Sequence, residues 1–583
     1  MPFGSPALRR GLFRKKKMIP RPRDGARGYR CDFMTPTEEQ AAIRDAKGLI
    51  VRINARAGTG KTTTLQLVAA AYPRQRLLYL VFNRQAREEA RRTFPHHVDA
   101  QTVHALAFRH EGHRWKDSLG HFSPADMLFA FRQNAQTLAV LSHDFLTYFL
   151  NSPFDRLEQA THAFCRYLPE RTKDLFSHEE ARILAACRTL ATAWNTGQKR
   201  CPHDFYLKIC QKSGKFQAAL ARYDLILVDE AQDLSPIMSD ALTQCRQRIF
   251  LVGDSHQQIY SFRYAIDAMQ TIACDDEFEL SRSFRFGAAI AELASIFIQE
   301  AKQQLHFRIH GNQQADSRVA LYDRIHPPSE AESVAALTRT NVALFEDAMQ
   351  LRARNMPFRF EKDLYPLLLR TLDVYWLAAE RAEHIRDPLI RSFRDMAGLE
   401  RFADETENFQ LRGMIEIVEK YASDFPGVVF EFGELAQHPP ASGVILSTIH
   451  SAKGREYDRV YIHADMAENL SAVRETGAPA EDEINIAYVG MTRAKRDLCL
   501  PPEMCGVLTP KWERFLTASQ HPSRPPASVQ PPHTPFRPGD RVQTAFGVGA
   551  ILEIDGEYGL IDFGRATKLR ERLSNLRRVR KIA

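Results

Sequence analysis

An apolar strand that leads through a small-residue loop into a helix, at residues 49–64, constrains the fold of this chain more than any other feature. The stretch reads LIVRINARAGTGKTTT. Gly58 and Gly60 allow backbone N–H groups to wrap around phosphate oxygens, the helix N-terminus adds its positive dipole end, and Lys61 can reach the β- and γ-phosphates. Ala55 stands where the general pattern has its first glycine. The strand and helix on either side still predict a phosphate-binding loop in a parallel α/β domain.

A second apolar strand, residues 225–228, runs into three carboxylates at Asp229, Glu230 and Asp233. Like charges so close repel one another, and burying them without a partner is costly, so the cluster predicts a cation. In a nucleotide-hydrolysing domain that cation is Mg²⁺. We therefore expect Asp229 and Thr62 to hold the metal and Glu230 to be the general base that orients the attacking water. ATP and Mg²⁺ are the predicted cofactors.

Length and composition favour a multidomain globular protein with no membrane partner. The 583 residues exceed what one hydrophobic core usually serves, so roughly three to five domains are expected. No apolar run approaches the roughly 20 residues of a membrane span, and the basic N-terminus lacks the apolar stretch of a secretory signal.

The net charge of +8 is concentrated at the two ends of the chain. Residues 1–30 carry ten Lys or Arg and one Asp, and residues 565–583 carry eight Lys or Arg and one Glu. These ends contribute +9 and +7, which leaves −8 for residues 31–564. A polyanion would therefore have to bind to local patches or to the basic ends.

Nine cysteines, none in a CxxC pair, indicate reduced thiols rather than a disulfide framework. Cys165, Cys187, Cys201 and Cys210 fall in one helical region, and four cysteines are the number that an iron–sulfur cluster needs. Their wide spacing favours separate buried thiols instead.

Further motifs occur in order between residues 35 and 498. They are TPTEEQ (35–40), YLVFNRQAREEA (79–90), TVHALAF (102–108), DEAQD (229–233), FLVGDSHQQIYSFR (250–263), SRSFRF (281–286), STIHSAKGREYDRVYI (447–462) and NIAYVGMTRAKRDL (485–498). This set resembles that of superfamily 1A helicases of the UvrD/Rep/PcrA type. The motif residues are most similar to those of the F-box DNA helicases, although no F-box is visible. The resemblance implies a DNA-stimulated ATPase that acts on single-stranded DNA and on junctions of single- and double-stranded DNA.

The resemblance also implies roles around the nucleotide. Gln258 would sense the γ-phosphate, and Arg285 and Arg493 would place positive charge on the transition-state phosphoryl oxygens. Gln40 would read the adenine edge, and Glu456 would contact the ribose or the nucleotide beside Gly454. With Lys61, Asp229 and Glu230 these complete the catalytic group. The predicted nucleotide contacts are Gln40, Ala57, Gly58, Thr59, Gly60, Lys61, Thr62, Thr63, Phe284, Gly454 and Glu456.

Single-stranded DNA is bound by aromatic platforms for its bases and by short polar groups for its phosphates. By resemblance, Tyr260 and Phe262 are candidate platforms, since they lie two residues apart on an expected loop. Core packing is the alternative for the aromatic candidates. The predicted DNA contacts are Phe82, Asn83, Thr102, His104, Tyr260, Phe262, Arg263 and His450.

Three positions depart from the family pattern. Thr63 stands where many relatives have Arg, which removes one expected nucleotide contact, and Phe284 replaces Tyr. Tyr264 replaces a Gly after Arg263 and could alter the path of the DNA. None of these changes removes a catalytic group.

The expected fold class is α/β, with two RecA-like P-loop motor domains, helical insertions and a small C-terminal β-barrel. The expected order is a basic disordered arm (1–32), RecA-like domain 1A (33–110 and 205–285) with helical insertion 1B (111–204), RecA-like domain 2A (286–345 and 443–518) with a reduced helical insertion 2B (346–442), a Pro-rich linker (519–535) and the barrel (536–583).

The C-terminal segment resembles the Tudor-like or SH3-like module of UvrD and PcrA through GDRV, FGVGAIL and LIDFG. The resemblance implies RNA polymerase or a repair protein as its partner. The basic end KLRERLSNLRRVRK supports nonspecific DNA binding equally well.

Three functions remain open. The favoured one is a 3′→5′ DNA helicase and translocase in DNA repair or recombination, with the polarity taken from the family. The second is a translocase that displaces proteins from DNA, as an anti-recombinase or in association with a polymerase. The third is a non-catalytic scaffold, against which the intact catalytic group argues. The expected location is the cytoplasm, at the nucleoid, in a prokaryote and the nucleus in a eukaryote.

Overall fold

The computed structural model describes residues 35–507, apart from 133–134, 261–263, 330, 422–423 and 477–480, and five strands between residues 541 and 578. The chain forms two compact units, Met1–Ser519 and Gln520–Ala583. The predicted arm (1–32) and linker (519–535) lie outside the described residues. Within the described part, no helix is both long and apolar enough to cross a membrane.

The first sheet of the larger unit has six parallel strands in the order β3-β2-β4-β5-β1-β6. They are β1 (Ile50–Ala55), β2 (Leu77–Val81), β3 (Val98–Thr102), β4 (Leu225–Val228), β5 (Arg248–Gly253) and β6 (Asp276–Leu280). Both faces of the sheet are covered, which is why β2 is apolar and buried throughout. Leu78 and Leu80 belong to the core on one face, and Tyr79 and Val81 to the core on the other.

Helices surround this sheet and also form an insertion between β3 and β4. Those in the sequence regions next to the strands are α1 (Glu38–Arg44), α2 (Lys61–Ala71), α3 (Arg84–Thr93), α4 (Val103–His110), α9 (Lys215–Leu220), α10 (Pro236–Thr243) and α11 (Ala268–Thr271). The insertion contains α5 (Ala135–Asn151), α6 (Leu157–Phe164), α7 (Glu170–Asn195) and α8 (His203–Lys212). Its buried side chains, including Phe145 and Trp194, form one continuous core with Leu78 and Leu80 of the sheet. The insertion is therefore packed firmly on the first sheet.

The second sheet is also parallel and has the order β7-β12-β11-β8-β10-β9. Its strands are β7 (Arg318–Leu321), β8 (Val334–Thr338), β9 (Phe358–Phe360), β10 (Val444–Thr448), β11 (Tyr457–Ile462) and β12 (Ala494–Leu500). The two parallel sheets with their helices confirm the predicted α/β class.

The helices of this second half include an insertion between β9 and β10. Those close to the sheet in sequence are α12 (Ala288–Ala301), α13 (Asn341–Ala353), α19 (Ile449–Ala452), α20 (Asp465–Thr476), α21 (Glu481–Met491) and α22 (Met504–Val507). The insertion contains α14 (Tyr365–Ala378), α15 (Pro388–Arg391), α16 (Met396–Glu405), α17 (Phe409–Tyr421) and α18 (Phe425–Gln437). It touches the first insertion, where Gln136 Nε2 donates to Ser392 O at 3.0 Å.

The smaller unit contains an antiparallel sheet in the order β16-β15-β14-β13-β17. Its strands are β13 (Arg541–Thr544), β14 (Gly547–Asp555), β15 (Tyr558–Asp562), β16 (Lys568–Arg572) and β17 (Arg577–Arg578). Closure of this sheet into a barrel, and its Tudor-like character, stay predictions.

The four cysteines considered for an iron–sulfur cluster differ in environment. Cys187, Cys201 and Cys210 are buried, Cys165 is half-buried, and all four are unbridged. Across the described residues, no group of three or more His, Cys, Asp or Glu side chains comes together as a metal site.

Candidate nucleotide-binding cleft

A cleft of about 860 Å³ lies between the two halves of the larger unit and contains the phosphate loop. One wall carries residues 58–63 and Asp229 of the first half, and the other carries Lys453 and Arg493 of the second. Its volume lies in the range of ordinary ligand sites.

The phosphate loop needs its two glycines for backbone and steric reasons. Gly58 and Gly60 have φ angles of 73° and 78°, in the left-handed region that L side chains avoid. A Cβ on Gly58 would lie 2.6 Å from Ser283 Oγ and 2.7 Å from Arg285 Cβ. The loop is also tied to this segment because Phe284 N donates to Gly58 O at 2.7 Å. The segment after β6 thus packs directly on the loop.

Asp229 is held at the end of β4 by hydroxyl groups. Its Oδ2 accepts hydrogen bonds from Tyr79 OH at 2.6 Å and from Thr62 Oγ1 at 3.1 Å. Burial, together with the neighbouring charge of Glu230, raises the pKa of Asp229. A cation beside Asp229 would offset this repulsion, and Mg²⁺ held by Asp229 and Thr62 stays a prediction.

Glu230 has a left-handed backbone with φ 53°, which turns it away from the direction of β4. Its Oε1 lies 3.4 Å from Lys61 Nζ, and its Oε2 accepts from Gln232 Nε2 at 2.5 Å. Burial opposes its ionisation, yet the ammonium groups of Lys61 and Lys453 lower the pKa of Glu230 to about 2. Glu230 is consequently a carboxylate at any physiological pH.

Two arginines reach the cleft from the chain after β6 and from the C-terminal end of α21. Arg285 Nε donates to Glu456 Oε1 at 2.7 Å, and its Nη1 donates to Thr492 O at 2.7 Å. Arg493 is almost completely buried, and its Nη2 donates to Gln257 Oε1 at 3.3 Å. Burial and the charge of Arg285 lower the pKa of Arg493 to about 9. Both guanidinium groups are thus held in place by hydrogen bonds.

Gln40 and Phe284 both lie beside Gly60, but Phe284 lines the cleft, whereas Gln40 is buried and is not among the lining residues. A Cβ on Gly60 would lie 3.5 Å from Gln40 Nε2 and from the Phe284 ring. Gln40 Oε1 accepts from Thr37 N at 3.1 Å, and its Nε2 donates to Thr64 Oγ1 at 3.3 Å. The exposed Phe284 ring offers a stacking face next to an oriented amide.

Lys453 and Asp233 form a buried ion pair across the cleft. The Lys453 side chain is 8% exposed and that of Asp233 is 1% exposed. Lys453 Nζ also donates to Gln257 O at 2.6 Å and lies 5.0 Å from the centre of the Tyr260 ring. Burial raises the pKa of Asp233 to about 6, although Lys453 opposes this shift. One ammonium group therefore connects the carboxylate cluster with the aromatic end of the cleft.

The aromatic end of the cleft is a stack of two rings. Phe82, which is 48% exposed, lies parallel to Tyr260 with centroids 5.6 Å apart and planes 10° apart. Tyr260 OH donates to His450 O at 3.2 Å. Phe82, Tyr260 and His450 all line the same cleft as the phosphate loop.

The other predicted DNA contacts are placed differently. Asn83 lines the cleft and caps α3 by accepting from Ala86 N at 2.8 Å. Thr102 caps α4 by accepting from Ala105 N at 3.1 Å. His104 Nε2 lies 2.7 Å from Asp204 Oδ1 of α8. Thr102 and His104 are not among the residues that line the cleft.

Two family models match the chain. One, described as "AAA domain", matches residues 38–263, and one described as "UvrD-like helicase C-terminal domain" matches residues 377–501. The protein named F-box DNA helicase 1 of Gallus gallus is 30% identical over an alignment that covers 82% of this chain and 50% of that protein. The chain belongs to the UvrD-like superfamily 1 helicases.

Other relatives support the same placement. F-box DNA helicase protein 1 of Schizosaccharomyces pombe is 24% identical over 80% of this chain and 57% of its own length. ATP-dependent DNA helicase UvrD2 of Mycobacterium tuberculosis is 26% identical over 48% of this chain and 47% of its own length. The chain thus spans about half the length of these UvrD-like relatives.

One predicted residue of this UvrD-like site lies outside the cleft. Gln258 was expected at the γ-phosphate, but its Nε2 points to Ala265 O at 3.5 Å and it does not line the cleft. Gln257 lines the cleft instead, between Arg493 and the buried Asp254, to whose Oδ2 it donates at 2.7 Å. The short 3-10 turn Ser255–Gln257 places the earlier glutamine inward.

Ala57 is also placed differently from the prediction. It is fully buried and its N–H donates to Tyr488 OH at 3.3 Å, so it does not reach the cleft. Thr59 lines the cleft, and its hydroxyl donates to Arg56 O at 2.8 Å. Thr63, Gly454 and Glu456 line the cleft as expected. Phe262 and Arg263 lie outside the described residues.

Lys453 and its pairing with Asp233 were not predicted from the sequence. Mg²⁺ was the expected cation for the carboxylate cluster, whereas two lysines, Lys61 and Lys453, also lie beside that cluster. The sequence SAKG at residues 451–454 could have indicated Lys453, since a lysine beside a turn glycine within a family motif is a candidate for a functional residue.

Proposed function

We propose that this chain is an ATP-hydrolysing motor that moves along single-stranded DNA and separates duplex strands. The observation that carries the proposal is the continuity of the cleft. The phosphate loop and Asp229 lie at one end, the stack of Phe82 on Tyr260 lies at the other, and Lys453 lies beside both. Aromatic faces of this kind accept any base, which suits a motor that moves along any sequence.

The residues present fit ATP and Mg²⁺. The left-handed Gly58 and Gly60 free the backbone to face phosphates, and Lys61 provides a cation at the start of α2. The Thr62 hydroxyl and the Asp229 carboxylate, 3.1 Å apart, are the hard oxygen donors that Mg²⁺ prefers. When bound, Mg²⁺ neutralises charge on the β- and γ-phosphates.

Glu230 is the proposed general base. It is ionised, and the contacts from Lys61 and Gln232 fix its two oxygens, so the carboxylate can accept a hydrogen bond from the attacking water molecule and orient it. Arg285 and Arg493 would stabilise charge that develops on the phosphoryl oxygens, and Gln257 holds Arg493 in position.

The test is the ATPase rate with and without single-stranded DNA, combined with unwinding of 3′-tailed and 5′-tailed duplexes. We expect stimulation by DNA and unwinding of the 3′-tailed duplex, a direction that rests on the family resemblance alone. An ATPase indifferent to DNA would refute the motor. Stimulation without unwinding of either duplex would leave the protein-displacing translocase, which removal of a protein bound to single-stranded DNA would detect.

We further propose a role in DNA repair or recombination, with the smaller unit as a docking module for a repair protein or RNA polymerase. Its support is the separation of residues 520–583 as a compact unit of their own. Deletion of this unit should abolish capture of a specific partner and leave DNA affinity nearly unchanged. Loss of DNA affinity that appears only at low salt would instead identify a nonspecific DNA tether.

A further inference from the structure

Tyr264 has a backbone conformation that a tyrosine rarely adopts. Its φ is +60°, in the left-handed region, where the Cβ crowds the following carbonyl oxygen. Such an outlier persists only where surrounding contacts compensate for it, and it is therefore a reason to ask what the side chain does.

The Tyr264 ring is inserted into an aromatic cluster of the first helical insertion. It meets Tyr148 and Tyr167 edge to face, with centroids 5.1 and 5.2 Å away and planes 78° and 81° apart. Phe164 lies at 6.3 Å, and Tyr264 OH donates to the Asp144 carbonyl at 3.3 Å. These are the geometries that aromatic pairs prefer, so the contacts offset the backbone cost.

Tyr264 also follows, in the same stretch of chain, two residues that line opposite ends of the cleft. Gln257 and Tyr260 precede it, and residues 261–263 between them lie outside the described part. Directly after Tyr264, the chain is tied to the first half by Ile266 N, which donates to Leu234 O at 2.9 Å. The ring is thus an anchor on the insertion, four residues from the proposed base platform.

We propose that Tyr264 is a positioning residue that helps to hold Tyr260, four residues earlier in the chain, on Phe82 by anchoring the chain on the helical insertion. The inference rests on the proposed function. Without the anchor, DNA would have to fix the position of the Tyr260 ring as it binds, and this cost weakens DNA affinity without changing the chemistry at the phosphate loop.

The experiment measures ATPase rate against single-stranded DNA concentration for the wild type, Tyr264→Gly and Tyr264→Phe. Tyr264→Gly suits the left-handed backbone and removes the ring. We expect its half-saturating DNA concentration to rise by about tenfold, because two aromatic contacts are together worth roughly that factor. Its basal rate and its rate at saturating DNA should stay near the wild-type values. Tyr264→Phe keeps the ring and should behave nearly as the wild type.

Glu380→Gly is the matched control, because Glu380 also has a left-handed backbone, with φ 57°, in the other insertion. It should leave the half-saturating DNA concentration unchanged. An unchanged half-saturation in Tyr264→Gly would overturn the inference, and so would equal losses of basal and saturated rates with a lower melting temperature. A wild-type ATPase that DNA does not stimulate would refute the proposed function itself, which separates the two failures.

Discussion

The two ends of the cleft are built in opposite ways. At the nucleotide end, charged groups are matched with partners, as in Lys61 with Glu230 and Arg285 with Glu456. At the other end, Phe82 exposes 48% of its surface and makes a stack with Tyr260. Fixed charges suit one ligand of defined geometry, whereas exposed rings accept bases that change with every step. The comparison predicts that substitutions at the two ends affect different measured quantities.

The largest effect is expected for Glu230→Gln. The substitution removes the proposed base but leaves Lys61, Thr62 and Asp229, so ATP binding should persist while turnover falls by about 10²–10⁴-fold. Phosphate release and binding of a fluorescent ATP analogue measure the two properties separately. Glu89→Gln is the control, since Glu89 lines the cleft outside the carboxylate cluster. Normal turnover in Glu230→Gln would exclude this residue as the base.

Substitution of Lys453 or Asp233, the buried ion pair that connects the two ends of the cleft, should lower the stability of the protein. Lys453→Met leaves the Asp233 carboxylate buried without its partner, a loss of roughly 3–5 kcal/mol in the free energy of unfolding. Adding Asp233→Asn should recover much of it, because the uncompensated charge is gone. Urea unfolding of the wild type, both single variants and the double variant gives the coupling energy. If the two single changes in the free energy of unfolding simply added up in the double variant, the interaction between Lys453 and Asp233 would contribute nothing to stability.

The two adjacent glutamines provide a sharper test of the nucleotide end. Gln257→Ala removes one of the acceptors of the buried Arg493, the one supplied by the first half, so the ATPase rate should fall by an amount equivalent to about 1.5–3 kcal/mol. Gln258→Ala removes only a long contact to Ala265 and should change the rate little. If Gln258→Ala lowered the rate more than Gln257→Ala, Gln258 would be the γ-phosphate sensor, as predicted from the sequence.

The smallest effect is expected at the exposed ring. Phe82→Ala should weaken single-stranded DNA binding by roughly 1–3 kcal/mol, because one stacking face is lost. Basal ATPase should not change, since the phosphate loop is untouched. Fluorescence anisotropy with a labelled oligonucleotide measures the affinity, and Phe129→Ala, at a ring 56% exposed on the first insertion, is the control. Parallel loss of basal ATPase and thermal stability would assign Phe82 to folding.

Sequence reasoning succeeded where the interacting groups are close in the chain. The phosphate loop and the pair Asp229–Glu230 each follow an apolar strand, so their strand context was visible and the α/β class followed. It did not distinguish Gln257 from Gln258, because the 3-10 turn ends at Gln257 and the backbone is extended at Gln258, so the two side chains have different surroundings. It also missed the pairing of Lys453 with Asp233, since these residues lie 220 positions apart. No local pattern reports such a contact.

Polar strands were harder to predict than apolar ones. The strands β3 and β6, VDAQT and DEFEL, lie at the two edges of the first sheet and have incompletely buried residues. Their sequences lack the continuous apolar run that predicted β4. An edge strand with polar residues gives no such signal.

The left-handed backbone of Glu230 has a consequence for protein engineering. Replacing strained residues with glycine is a common route to a more heat-resistant protein, and Glu230 belongs among such targets together with Gln303, Asn355, Glu380 and Glu407. Those four lie outside the cleft, so each is open to stabilisation. At Glu230 the same substitution would relieve the backbone but remove the proposed base and the partner of Lys61. A search for stability alone would therefore discard a residue on which the proposed function depends.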